Sequence, residues 1–246
     1  GQVCSGQRWD VVDLKRRFGI EKTKMLWNIG EAAKMEVHER IKKHSIDCDY
    51  APGIIHAELK EKSLDHGWNE VQQLNNLHSY DKIKFLDRLG IRNYLGTDKY
   101  AGGSIDMGAG HLHPLKFGIG LASAADKNGV RIFENSRVKE IKKGSQVEVV
   151  TEQSKIIKSQ YLVLGCNGYL GNLAPSVASR VMPINNFIIA TESLGKEKAE
   201  NIIRNNLAVA DSKFVVNYYR LSSDYRLLFG GGENYRYRFP KDISGK

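Results

Sequence analysis

From Glu21 to about His44 the apolar residues Met25, Ile29, Ala33, Val37 and Ile41 recur at every fourth position, with charged residues between them. That spacing predicts a helix with one apolar stripe. A shorter helical stretch, VVDLKRRF, precedes it and stops at Gly19. The segment DCDYAPGIIHAEL reads as extended chain broken at Pro52 and Gly53, and residues 62–89 return to a helical pattern through Leu64, Trp68, Val71, Leu74 and Leu77. The second half changes period. YAGGSIDMGAGHLHP is glycine-rich and extended, and PLKFGIGLASAADKNG carries Pro114 where a helix begins and Gly129 where one is capped. Strand signals follow in VRIF, RVKEI, QVEVVT, SKIIKS and QYLVLG, the last a continuous apolar run of the kind covered on both faces. PINNFIIATESL, a helix near 196–205, KFVVNYYRL and YRLLFGGG then suggest a sheet with mostly antiparallel neighbours. The fold class read from these patterns is mixed, α/β plus α+β.

At 246 residues and 41% hydrophobic, the chain can build one large domain or two small ones. No apolar run approaches the ~20 residues of a membrane span. The opening GQVCSGQRWD lacks the layout of a secretory signal. Cys4, Cys48 and Cys166 are odd in number and far apart, which excludes a disulfide framework and a C-x-x-C zinc site. A cytoplasmic setting is the expectation. The formal charge of +9 raises nucleic-acid binding as an alternative, but lysines and arginines alternate with acids along most of the chain. No nucleic-acid partner and no membrane partner are expected.

Several motifs fall away on inspection. FGIGLAS offers two glycines of a phosphate loop, yet Ser123 stands at the third position and no strand precedes it. His111 and His113 would share one face of a strand, but no carboxylate or cysteine nearby completes a ligand set, so no metal is expected. No G-x-S-x-G, H-E-x-x-H or Walker loop occurs. Two stretches remain. LVLGCNGYLGNL runs an apolar segment into a turn with Gly165, Asn167, Gly168 and Gly171, which suits either a change of direction or a close approach to a ligand. YYRLSSDYRLLFGGGENY is either a plain amphipathic hairpin or a pocket wall in which Arg220 and aromatics hold a substrate.

Taken together, GQV, GGSIDMGAGHLHPLKFGIGLASAADKNGVRIFENSRV, YLVLGCNGYLGNL, INNFIIATESL and YYRLSSDYRLLFGGGENY resemble the FAD-dependent oxidoreductases of the D-amino-acid oxidase superfamily, nearest to its gamma-glutamylputrescine oxidoreductase group. The resemblance implies oxidation of an amine C–N bond by FAD, hydrolysis of the imine, and reoxidation of the flavin, typically by oxygen. It also implies a partial, Rossmann-like three-layer FAD-binding domain, residues 1–45 and 100–182, joined to an antiparallel-sheet substrate domain, residues 46–99 and 183–246. Carried over by position, Gly1 and Gln2 would approach the flavin, Val138 would touch the adenine, and Cys166, Asn167 and Gly168 would border the cofactor. Trp9 or Arg8, Tyr218, Arg220 and the Glu233–Asn234 turn would face a small amine or amino-acid substrate, with no catalytic base assigned. Family members begin with a G-x-G-x-x-G unit and end with a segment that closes the flavin site. This chain is therefore expected to be a central fragment, holding FAD weakly or not at all, inactive alone and prone to self-association. A non-catalytic interaction fragment and a basic nucleic-acid-binding module are the alternative readings.

Overall fold

The computed structural model describes residues 1–234, with side chains as far as Gly232. In chain order the elements are β1 (Gln2–Val3), α1 (Val11–Lys43), β2 (Ala51–Glu58), α2 (Leu64–His78), β3 (Ile83–Leu86), α3 (Arg88–Arg92), β4 (Gly102–His111) and α4 (Pro114–Lys127). There follow β5 (Val138–Lys142), β6 (Val147–Thr151), β7 (Ile156–Ser159), α5 (Pro175–Ala178), β8 (Asn185–Ala190) and α6 (Lys196–Ile202). The last strands are β9 (Ala208–Asp211), β10 (Tyr218–Leu221) and β11 (Leu227–Asn234). Two compact units result, one from Gly1–Asn128 with Phe187–Gly232, the other containing Gly129–Asn186.

The first unit is built on a sheet of order β1-β4-β2-β9-β10-β11-β8, with β3 also paired to β4. At its centre β2 runs antiparallel to β4 (Ile55 opposite Ile105) and parallel to β9 (Ile55 opposite Val209). Ile54 and Ile55 are fully buried on opposite faces of β2. Over Ile55 pack Ile91 of α3, Leu95, Ile203 just after α6, and Leu207 just before β9. Val11 and Trp27 of α1 and Val71 and Leu74 of α2 form a second cluster with Tyr80 and Ile83. Each aliphatic side chain so enclosed contributes about 1.5–3 kcal/mol.

Helix α1 departs from the sequence reading in which face it buries. Met25 and Ile29 are exposed, whereas Thr23, Trp27 and Lys34 are buried and Val37 and Ile41 half-buried. The reason is geometric. Four residues turn a helix through about 400°, so a strict every-fourth series winds around the cylinder, while steps of four and three keep to one side. The series Thr23, Trp27, Gly30, Lys34, Val37, Ile41 follows those steps. At Gly30 a Cβ would overlap the backbone of Gly6, so the glycine lets the N-terminal segment lie against the helix. The break at Gly19 is as expected: its φ of 77° and ψ of 173° suit only glycine.

Helix α4 also matches expectation, with Pro114 in its first turn, the His113 side chain accepting from the Lys116 N–H, and Gly129 at φ 83° beyond its end. FGIGLAS lies inside it, and Gly120 makes room for Ile46.

In the second unit β5, β6 and β7 form an antiparallel sheet that buries Val149 and Val150. The run QYLVLG is not the buried strand expected of it. Tyr161 and Val163 are 86% and 89% exposed, and the segment has no regular structure. An apolar run becomes a covered strand only with partners along its edges, and no described strand bonds to this one. VRIF is likewise irregular and exposed. No helix among the described residues is long and apolar enough to cross a membrane.

Candidate functional site

The first unit encloses a hollow of about 370 Å³ bounded by Gly1, Gln2, Ile188, Tyr218, Arg220 and Gly230. Pairing positions its walls. Strand β1 lies on β4 with Gln2 opposite His111, and β10 lies on β11 with Tyr218 opposite Gly230 and Arg220 opposite Leu228. A Cβ at Gly230 would overlap the Tyr218 ring, so the glycine gives that ring its place across β11. Tyr219, the alternate residue of β10, donates to the Tyr100 hydroxyl at 3.1 Å and stacks on Phe229 at 5.7 Å. Burial pushes its phenol well above the ordinary range, so it stays protonated.

Arg220 is half-buried, and its Nη1 donates to the Leu221 carbonyl at 3.0 Å. Among the described residues no carboxylate comes within ion-pair distance of it. Burial lowers its pKa, a shift partly offset by the more distant charge of Asp49. Asp49 itself pairs with Lys116 at 2.8 Å.

His111 is fully buried, and its Nε2 lies 2.7 Å from the Asn206 carbonyl, which can only accept, so Nε2 carries the proton. Its Nδ1 has no hydrogen-bond partner among the described residues, and burial lowers the ring's pKa and favours its neutral form. His113 caps α4. Neither histidine belongs to a cluster of three ligating groups among the described residues.

The second unit has its own hollow of about 850 Å³, with Val138, Val149, Leu164, Cys166, Tyr169 and Gly171 among its walls. Asn167 and Gly168 form the single turn between wall residues Cys166 and Tyr169, with Asn167 in the left-handed region at φ 48°. A Cβ at Gly165 or Gly168 would meet nothing within 4 Å. Crowding within the chain therefore does not account for these glycines. They leave bare backbone beside a hollow whose walls also carry Arg137, Lys139 and Glu152.

The residues singled out from sequence thus fall into groups. Gly1, Gln2, Tyr218 and Arg220 come together in the first hollow, and Val138 and Cys166 in the second, flanked by Asn167 and Gly168. Trp9 lines neither. It stacks on Phe18 at 6.3 Å beneath the Arg17 guanidinium at 4.1 Å. The Glu233 side chain lies outside the described residues. Sequence reasoning missed Ile188, whose apolar strand carries no distinguishing signal, and a buried polar chain around Lys34 taken up below.

The family model for FAD dependent oxidoreductase (DAO) matches residues 1–245. The chain belongs to this DAO family. DAO family members are FAD-binding flavoproteins. Among curated relatives, the chain is 36% identical to a probable oxidoreductase OrdL of Haemophilus influenzae over 235 residues, covering 94% of this chain and 54% of that one. It is 33% identical to gamma-glutamylputrescine oxidoreductase of Escherichia coli over 246 residues, covering 99% and 57% respectively. The chain thus spans just over half the length of the curated relatives it matches. Among solved structures, glycine oxidase from Geobacillus kaustophilus superposes with a TM-score of 0.67 at 15% identity, over 95% of this chain and 60% of that one. L-amino acid deaminase from Proteus myxofaciens gives 0.63 at 17%, over 93% and 48%. The mixed α/β plus α+β fold is that of the DAO oxidases.

The residues present fit FAD. Gly165 and Gly168 leave room for a nucleotide to approach the backbone beside Cys166, and each hollow by itself lies within the 300–1,000 Å³ usual for ligand sites.

Proposed function

We propose that this protein oxidises a C–N bond of an amine or amino acid bearing a carboxylate, with Arg220 as the carboxylate anchor. One observation carries the reading: a half-buried guanidinium, with no carboxylate at ion-pair distance among the described residues, facing the same hollow as Gly1 and Gln2. FAD, when bound, supplies the hydride acceptor. The chain's residues bind and orient. Arg220 donates a charge-assisted pair of hydrogen bonds to the substrate carboxylate. The Tyr218 ring and Ile188 would keep water from the amine, and the backbone of Gly1 and Gln2 would help hold the flavin. A free amine holds its proton to about pH 10, and an apolar, desolvated wall favours the neutral form that can be oxidised. Val138, Cys166, Asn167 and Gly168 of the second unit, considered by themselves, are residues that would hold a nucleotide. The imine leaves the hollow and is hydrolysed by water. The name of the Escherichia coli relative, gamma-glutamylputrescine oxidoreductase, supports an amine donor.

The test is steady-state kinetics of Arg220→Ala in the protein expressed from its native coding sequence. KM for a carboxylate-bearing amine should rise about 10- to 100-fold, the scale of a lost charge-assisted bond, with little change for an amine lacking the carboxylate. Equal kinetics on both would exclude the role.

A further inference from the structure

The buried stripe of α1 contains a charge. Lys34 takes the position after Trp27 and Gly30 in the four-and-three alternation and is 7% exposed, where an aliphatic residue would bury without the desolvation cost of an ammonium. Its ammonium meets Glu31 Oε2 at 2.8 Å, Ser5 Oγ at 2.8 Å and the Tyr80 hydroxyl at 3.4 Å, and lies 5.1 Å from the Tyr80 ring centre.

The direction of every bond follows from the chemistry. An ammonium only donates, so the Ser5 oxygen accepts from Lys34. Tyr80 donates its proton to Asp106 Oδ1 at 2.6 Å, so the 2.8 Å contact between Ser5 and Tyr80 is made by the serine proton. Asp106 Oδ1 also receives the N–H groups of Gly108 at 2.8 Å and Ala109 at 3.2 Å. Burial and the bond to Asp106 raise the Tyr80 pKa, which keeps the phenol a donor. Glu31 uses its other oxygen to accept from the Gly6 N–H at 3.3 Å. One polarised chain, cation at one end and carboxylate at the other, therefore ties α1, residues 5 and 6, the turn before β3 and strand β4 together. Residues 5 and 6 lie just beyond β1, whose Gln2 lines the hollow with Gly1.

We infer that Lys34 is a positioning residue: through Ser5, and with Glu31 on Gly6, it sets where the Gly1–Gln2 wall stands relative to Arg220 and Tyr218. It touches neither the hollow nor any reacting atom. The consequence for flavin and substrate rests on the function proposed above. The consequence for the segment does not.

The two are separable by experiment on Lys34→Met, Ser5→Ala and the double variant, each expressed from the native coding sequence. Removing one partner of a buried ion pair leaves the other uncompensated, so Lys34→Met should lower the melting temperature whatever the role of the lysine. Positioning predicts a local effect beyond that loss: under conditions where Lys34→Met stays folded, hydrogen exchange of its Val3–Gly6 amides rises at least tenfold. Titration of the apoprotein with FAD, followed by flavin fluorescence, should show weaker binding, and kcat should fall by up to about 100-fold, the scale of a 1 Å misplacement. Ser5→Ala, which deletes a single hydroxyl, should reproduce the exchange increase, and the double variant should lose no more than the larger single loss. Unchanged exchange at residues 3–6 in Ser5→Ala would overturn the inference, as would strictly additive losses. Wild-type protein that neither binds FAD nor oxidises an amine would refute the proposed function while leaving the exchange result to decide the role of Lys34.

Discussion

Half-burying a guanidinium costs solvation, and at Arg220 no carboxylate of the described chain at ion-pair distance returns it, a cost that the proposed substrate carboxylate would offset. A partly buried carboxyl makes a separate prediction. Burial, helped by the charges of Asp10 and Glu58 and opposed by His66, lifts the Glu70 carboxyl from its ordinary 4.5 to about 7. The sign follows directly. Between those two values the folded protein holds a proton that the unfolded chain has released, so stability falls as pH rises through the window and levels off above it. Glu70→Gln cannot ionise and should escape that fall. Its melting temperature relative to wild type should climb between about pH 5 and about pH 7.5. Parallel curves over that range would show that Glu70 titrates as an ordinary carboxylate.

At the scale of elements, the break in α1 is the sharpest case. Gly19 joins two helices at a backbone conformation closed to other residues, so Gly19→Ala should cost about 1–3 kcal/mol in a denaturant melt. A variant as stable as wild type would mean the joint can straighten. This break was legible because glycine interrupts an otherwise helical pattern, and α4 because Pro114 and Gly129 mark its ends. The buried face of α1 was not, because Met25 and Ile29 look like core while Thr23 and Lys34 do not, and only neighbours decide which side faces inward. QYLVLG misled for the same reason, since an apolar run carries no information about whether strands lie beside it. Strand β9, four residues of AVAD, is too short for any period to show. For the hairpin, residue types suggested a pocket wall, but the register that sets Tyr218 against Gly230 came only with the pairing.

Taken whole, the molecule leaves large apolar side chains of its second unit in water, Tyr161, Val163, Tyr169 and Met182 among them. A surface of that kind favours association. The 246-residue chain should sediment as a concentration-dependent mixture, and a strictly monomeric profile up to about 100 µM would show those side chains to be scattered rather than joined in a patch. The proposed function is flavin-dependent amine oxidation in the hollow of Arg220 and Tyr218. The most direct measurement is an anaerobic spectrum of the protein expressed from its native coding sequence, before and after addition of a carboxylate-bearing amine. A visible flavin band that bleaches with the amine, and bleaches far more slowly in Arg220→Ala, is the predicted result. A flavin band indifferent to every amine offered, or one reduced equally fast in the variant, would contradict it.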